Sequence, residues 1–138
     1  SATAAQGAHP YFTTPEHTKT AREIMGPDAW LCVEQKVIGT TDAAAAREHA
    51  RTTARTYAGL PNYRNNWLRL GFSESDINDL TDDFIDATFA WGEPEAIQER
   101  IDAHFAAGAS HVCIQPVNPR GNLIEPDMDL LARLAPGA

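Results

Sequence analysis

Residues 29–39 read AWLCVEQKVIG, and the fold turns on them. Val33, Val37 and Ile38 supply the β-branched bulk of a strand, while Glu34, Gln35 and Lys36 interrupt a run that would otherwise be wholly apolar. Strand alternation sends Glu34 and Lys36 to one face and Gln35 to the other. A carboxylate and an ammonium two residues apart on one face are a candidate charge couple, able to sit inside a fold only as a pair.

Downstream, TTDAAAAREHARTTARTYAGL reads as a helix capped by Thr41 or Asp42 and ended at Gly59, with a small inner stripe of Ala46, Ala50, Ala54 and Tyr57. Arg47, Arg51 and Arg55 recur on another face and read as a solvated outer surface. PNYRNNWLRLGF reads as a short helix from Pro61, and Asp79 to Trp91 as a second one, with Leu80, Phe84, Ile85, Thr88, Phe89 and Trp91 on its apolar side. GEPEAIQERIDAHFAAGAS is a further helix with an Ile97, Ile101, Phe105 stripe, followed at once by the strand HVCIQPV (111–117). PDMDLLARLAP closes the chain as a short helix. Upstream, Ala8–Phe12 is a strand stub, and Thr14 caps a helix that opens on Pro15 and stops at Gly26-Pro27.

Strands separated by helical segments predict an α/β fold with a parallel sheet, which needs cover on both faces. Three strands rarely make such a sheet alone, so the spacing predicts a portion of something larger. The 138 residues have room for one compact unit with a sizeable core. Of the apolar residues 23 are alanine, so the core is adequate rather than rich. A formal charge of -8 argues against a nucleic-acid partner, and no run is long and apolar enough to span a membrane. Cys32 and Cys113 are too few for a disulfide framework; each sits in an apolar run and reads as a buried, reduced thiol, which favours the cytosol. No HxxxH or His/Cys/Asp cluster predicts a metal site, and no Gly-rich phosphate loop or nucleophile elbow occurs.

Four segments in order, GAHPYFTTPEHT, LCVEQKVIGTTDAAAAREHA, GLPNYRNNWLRLGF and AWGEPEAIQERIDAHFAAGASHVCIQ, resemble the C-terminal part of the bacterial luciferase-like monooxygenase family, nearest its probable coenzyme F-420-dependent oxidoreductases. The resemblance runs from about Gly7 to Gln115. It departs from the family at Glu93, where a Thr or Ser commonly caps the helix opening on Pro94. The resemblance implies the C-terminal portion of a (β/α)8 TIM barrel, with about three parallel strands and helical insertions between the last two. It implies a single partial domain over 1–138, since such a barrel needs roughly 250 residues. The initial Ser then reads as a consequence of truncation.

It also implies an oxidoreductase that moves a hydride between reduced deazaflavin coenzyme F-420 and a small-molecule organic substrate, with FMN as the alternative cofactor. Most cofactor contacts in the family come from earlier strands, so this chain alone is expected to bind cofactor poorly and to be inactive. The competing reading is a non-catalytic half-barrel whose open sheet edge pairs with the remainder of the barrel or with a second copy, a homo-oligomer.

Sites in such barrels lie at the C-terminal ends of the strands. That rule selects His9 and Tyr11 after the first strand, the Glu34–Lys36 pair near the end of the second, and Gln115 and Arg120 at and beyond the last. They are candidates for the cofactor or substrate pocket. His9 can donate to a ring carbonyl, Tyr11 can stack or donate, and Arg120 can hold an anionic tail. No catalytic residue is singled out. YRNNW is expected toward the opposite end of the barrel, as packing or subunit contact.

Overall fold

The computed structural model of the protein describes residues 4–118 and 125–135. Local chemistry sets the helix starts. The side-chain oxygen of Thr14 accepts from the His17 amide at 3.4 Å and Pro15 opens α1 (Pro15–Met25), which stops at Gly26 with φ at 80°. Asp42 caps α2 (Ala43–Ala58) by accepting from the amides of Ala44 and Ala45 at 3.0 and 3.1 Å. Then follow α3 (Pro61–Arg69), α4 (Glu74–Asp79), which Ser73 and Asp76 open with a capping box, and α5 (Asp82–Thr88). Finally come α6 (Pro94–Ala106) and α7 (Met128–Leu134). Glu93 makes no capping bond to α6; its carboxylate meets Arg133 of α7 at 2.5 Å instead.

Four strands, β1 (Gly7–Ala8), β2 (Trp30–Ile38), β3 (Phe89–Trp91) and β4 (His111–Pro116), form one parallel sheet centred on β2. The hydrogen bonds of β2 show which edge each neighbour takes. The carbonyls of Leu31 and Val37 accept from Ser110 and Val117 on the β4 side. The amides of Trp30 and Glu34 and the carbonyl of Ile38 bond Gln6, Pro10 and Gly92. Since backbone groups alternate sides along a strand, β1 and β3 share one edge of β2 in tandem and β4 takes the other. Among the described residues no strand pairs with the outer edge of β4, so the sheet is not closed into a barrel.

Three expectations change. The segment expected to be one helix from Asp79 to Trp91 starts on the last residue of α4 and is otherwise α5 and then β3. Its apolar residues continue at helical spacing through Trp91, but Thr88 turns its hydroxyl back onto the Phe84 carbonyl at 2.8 Å, and the next three residues pair with the free end of β2 at Lys36–Ile38. The strand count is therefore four. The stub at Ala8–Phe12 is a strand only at Gly7–Ala8, and Phe12 takes a left-handed φ of 58°. Cys113 is exposed rather than buried, and Cys32 is half-buried; both are free thiols.

The exposure of Cys113 follows from how the sheet is covered. Register places Cys113 opposite Glu34 and His111 opposite Cys32, on one face. That face is filled over its C-terminal half by α2 to α5, around Phe12, Ile38, Trp67, Phe84 and Phe89, leaving Cys113 and His111 uncovered at the other end. The opposite face packs Val37, Ala90, Ile97 and Leu130 under α6 and α7. The arginines of α2 are not simply solvated: Arg47 grips Asp86 at 2.5 Å and meets Asp82, while Arg51 bonds Asp82 and the Leu80 carbonyl, tying α2 to α5. Among the described residues no helix is long and apolar enough to cross a membrane.

Arg22 closes the N-terminal end of the sheet. Its guanidinium donates to the carbonyls of Gly108, Gly26 and Ala29 at 2.7–2.8 Å and to Ser110 Oγ at 3.0 Å. Gly108 has φ at 102°, and a Cβ there would stand 2.7 Å from Arg22 Cγ. Gly108→Ala is therefore expected to cost about 1–3 kcal/mol in a urea denaturation, from backbone strain and displacement of the Arg22 fork together.

Candidate functional site

The site grows from the buried pair that alternation put on one face of β2. Lys36 Nζ lies 3.0 and 3.1 Å from the two Glu34 carboxylate oxygens, and both residues are nearly sealed from solvent. Aromatic rings cage the ammonium: its nitrogen is 3.9 Å from the centroid of Tyr11, 4.2 Å from Phe12 and 5.1 Å from Tyr57. Burial pulls the Lys36 amine down to about 8, against the opposing pull of the Glu34 carboxylate.

The same carboxylate holds the backbone turn that aims Tyr11. Glu34 Oε2 accepts from the Phe12 amide at 2.9 Å, and Trp67 Nε1 donates to the Phe12 carbonyl at 3.0 Å. A left-handed phenylalanine costs energy and persists where its surroundings over-determine it. Here its amide, carbonyl and ring are all held.

Tyr11 then reaches across to the end of β4. Its hydroxyl donates to Gln115 Oε1 at 2.6 Å and lies 3.0 Å from the Tyr57 hydroxyl. Tyr11 has one proton and gives it to Gln115, so Tyr57 donates to Tyr11. Burial first, with the nearby Glu34 charge adding to it, holds the Tyr11 phenol above its ordinary value, so it stays a donor at neutral pH.

Tyr57 and Gln115 form part of the wall of a cavity of ≈ 280 Å³ between α2 and the C-terminal end of β4. Thr53, Thr56 and Asn118 add neutral polar groups; Pro116, Val117 and Pro126 add apolar surface; Glu125 is the charged residue among the described lining.

Of the sequence-selected residues, the structure gathers Tyr11, Glu34, Lys36 and Gln115 into one connected assembly. His9 stands apart: it is exposed, its Nδ1 lies 2.9 Å from the Cys32 carbonyl, and it does not line the cavity. Arg120 lies outside the described residues. YRNNW is not at the far end. α2 to α5 stay at the C-terminal end of β2, packing on Ile38 and Phe12, and this brings Tyr63 to 6.1 Å from the Tyr11 ring and Trp67 to 5.0 Å from Phe12.

Sequence reasoning missed Tyr57 and Trp67 as parts of the site. Tyr57 sat in a helical stripe and read as packing; the signal was its place at the end of that stripe, one turn beyond Ala54. Trp67 carries an indole N–H, which needs a partner once buried.

A second buried polar cluster lies on the other face. Gln35 Nε2 donates to the carbonyls of Lys36 and Thr88 at 2.9 and 3.1 Å, so its Oε1 accepts from His104 Nε2 at 2.9 Å. His104 Nδ1 then accepts from the Thr18 hydroxyl at 2.8 Å. Burial, with the Arg100 charge adding to it, lowers His104 to about 4. This neutral imidazole ties α1, α6 and β2 together.

The donor set at the cavity fits a neutral organic group. No Lys or Arg is among the described lining residues, so none of them offers a cation to a phosphate or polycarboxylate tail.

A comparison with solved structures finds a likeness to an F420-dependent secondary alcohol dehydrogenase in complex with an F420-acetone adduct, at a TM-score of 0.59 and 14% identity. The match covers 97% of this chain and 44% of that one, so the chain spans less than half the length of its structural neighbour. No family model matches the sequence, and no curated protein matches it. At this identity the likeness establishes the fold: an α/β arrangement with a parallel sheet, compatible with part of a TIM-barrel-like architecture.

Proposed function

We propose that the chain is the closing portion of a luciferase-like, F-420-dependent oxidoreductase of the cytosol, a single partial domain whose cavity between α2 and the end of β4 belongs to the substrate site. The observation that carries the reading is the assembly of Tyr11, Lys36, Glu34 and Gln115 at the C-terminal ends of parallel strands, where such barrels place their chemistry. The family resemblance of the sequence and the likeness in fold to an F420-dependent enzyme support it from two directions. Nothing in the comparison favours FMN.

Bound deazaflavin would supply or accept the hydride. The chain's own residues have other work. Gln115 hydrogen-bonds an oxygen of the substrate, Pro116, Val117 and Pro126 exclude water, and Tyr57 with the Glu34–Lys36 pair fixes Tyr11 and through it the orientation of Gln115. The anionic part of the cofactor needs cations, and none is among the described lining residues. Arg120 is a candidate for part of that task, and the remainder of a barrel for the rest.

The test is hydride transfer by the protein encoded by the reading frame that contains this chain. Reduced F-420 is expected to be oxidised in the presence of substrate, and reduced FMN is not. Turnover with FMN alone overturns the cofactor assignment, and turnover with neither overturns the reading.

A further inference from the structure

We infer that Tyr11, Tyr57, Tyr63 and Trp67 form a one-electron relay that takes up an oxidising equivalent at the cavity wall and delivers it to Tyr63 at the surface. The inference needs neither cofactor nor substrate and goes beyond the reading proposed above.

Placement comes first. The chain has three tyrosines, and the fold brings all of them to one place. Ring centroids are 5.8 Å apart for Tyr11 and Tyr57, 5.0 Å for Tyr57 and Tyr63, and 6.0 Å for Tyr63 and Trp67. Those are the spacings of rings in contact. Phenol and indole are the most readily oxidised rings among side chains, and at contact one ring can refill its neighbour directly. Tyr57 lines the cavity, so the set begins there.

Charge and proton acceptors give the relay a direction. A ring that loses an electron becomes positive unless it also loses a proton. The Lys36 ammonium stands 3.9 Å from the Tyr11 centroid and 5.1 Å from that of Tyr57, and repels positive charge on either ring. Tyr57 donates to Tyr11, and Tyr11 to the Gln115 amide oxygen, which is no base. Trp67 is wholly buried, with its N–H on the Phe12 carbonyl. Tyr63 is the exception. Its hydroxyl has no hydrogen-bond partner among the described residues and is not among their sealed, unpartnered atoms, so it meets water. Burial holds the Tyr11 and Tyr63 phenols above their ordinary value, so the proton is still in place when the electron leaves.

The steps balance. An oxidising radical, such as a peroxyl, takes one electron from Tyr57 and becomes an anion. Tyr63 refills Tyr57 and gives its proton to water, which protonates the anion, and Tyr63 is left as a neutral phenoxyl. A thiol in solution returns a hydrogen atom to Tyr63, and two thiyl radicals close as a disulfide. The protein ends unchanged and its site is spared.

Two experiments test the two ends. Trp30→Phe/Trp91→Phe leaves Trp67 as the chain's one indole. A laser flash absorbed by indole ionises it, and a cobalt(III) ammine scavenges the electron. The phenoxyl absorption is expected to grow as the indole radical decays, at a rate independent of protein concentration, and glutathione is expected to remove it. In this background Tyr63→Phe deletes an oxygen with no described protein partner, and is expected to slow the transfer at least about tenfold. Tyr11→Phe and Tyr57→Phe are expected to leave it within about twofold. For the cavity end, the protein is exposed to peroxyl radicals and its oxidised residues are mapped by mass spectrometry. The damage is expected on Tyr63 in the protein and on Tyr57 in Tyr63→Phe.

An indole radical that decays without phenoxyl growth, undiminished transfer in Tyr63→Phe, or a phenoxyl indifferent to glutathione overturns the inference. So does damage to Tyr57 that Tyr63→Phe leaves unchanged, because Tyr63 then drains nothing from it.

Discussion

Glu34→Gln is expected to destabilise the protein by about 3–5 kcal/mol at pH 7, because it leaves the Lys36 ammonium buried among aromatic rings with no counter-charge. Lys36→Met keeps an unbranched stem in the cage but strands the carboxylate, and its expected cost is similar. The double variant Glu34→Gln/Lys36→Met is expected to be more stable than either single one. The neutral amide can still accept from Phe12, and the thioether fits against the rings. Urea denaturation of the four proteins measures this as a coupling energy of favourable sign. Additive losses would mean that the pair contributes nothing beyond packing.

The pair also has a pH signature in the single variant. With Glu34 neutral, the Lys36 amine drops below the value near 8 that it has in the intact pair. The unfolded chain then binds a proton that the folded chain does not, so the stability of Glu34→Gln rises as pH goes from 7 to 9.

The second large effect is acid instability through His104. Its folded value is about 4 against an ordinary value of 6.5, so the neutral form belongs to the folded state. Between those limits the unfolded chain binds more protons. Stability is fully present above about pH 6.5 and is lost as pH falls toward 4, by up to roughly 3 kcal/mol. His17, lowered by its own burial and by Arg69, acts in the same sense.

The measurement that isolates His104 is the difference between the protein and His104→Gln from pH 7 to pH 4. The variant is expected to be less stable at pH 7, since it cannot reach both Gln35 and Thr18, and the gap is expected to narrow steadily on acidification. A constant gap would show that the imidazole carries no such charge penalty.

Parts of this were legible in the chain because they are local. Val33, Val37 and Ile38 mark β2, Thr14-Pro15 and Asp42 mark helix starts, and a period of two puts Glu34 and Lys36 on one face. The partners of those residues are another matter. Nothing near Gln35 in sequence points to His104, 69 positions away, and nothing near Phe12 points to Trp67. Both pairs follow from buried polar groups needing partners, a demand that tertiary structure alone resolves. β3 was hidden for a different reason. Phe89 and Trp91 fit the helical stripe that precedes them, and only the free edge of β2 makes a strand the better use of them. Cys113 read as buried because its neighbours are apolar, yet the face it shares with Glu34 is covered over only half its length.

The unclosed edge of β4 bears directly on the functional reading, because a luciferase-like barrel needs strands that pair there. Fluorescence titration of F-420 against the protein encoded by the whole reading frame, and against residues 1–138 alone, tests both together. Saturable binding to the former, and binding weaker by at least about tenfold to the latter, is the predicted result. Equal and tight binding by the 138-residue chain, or preferential binding of FMN by the whole protein, would contradict it.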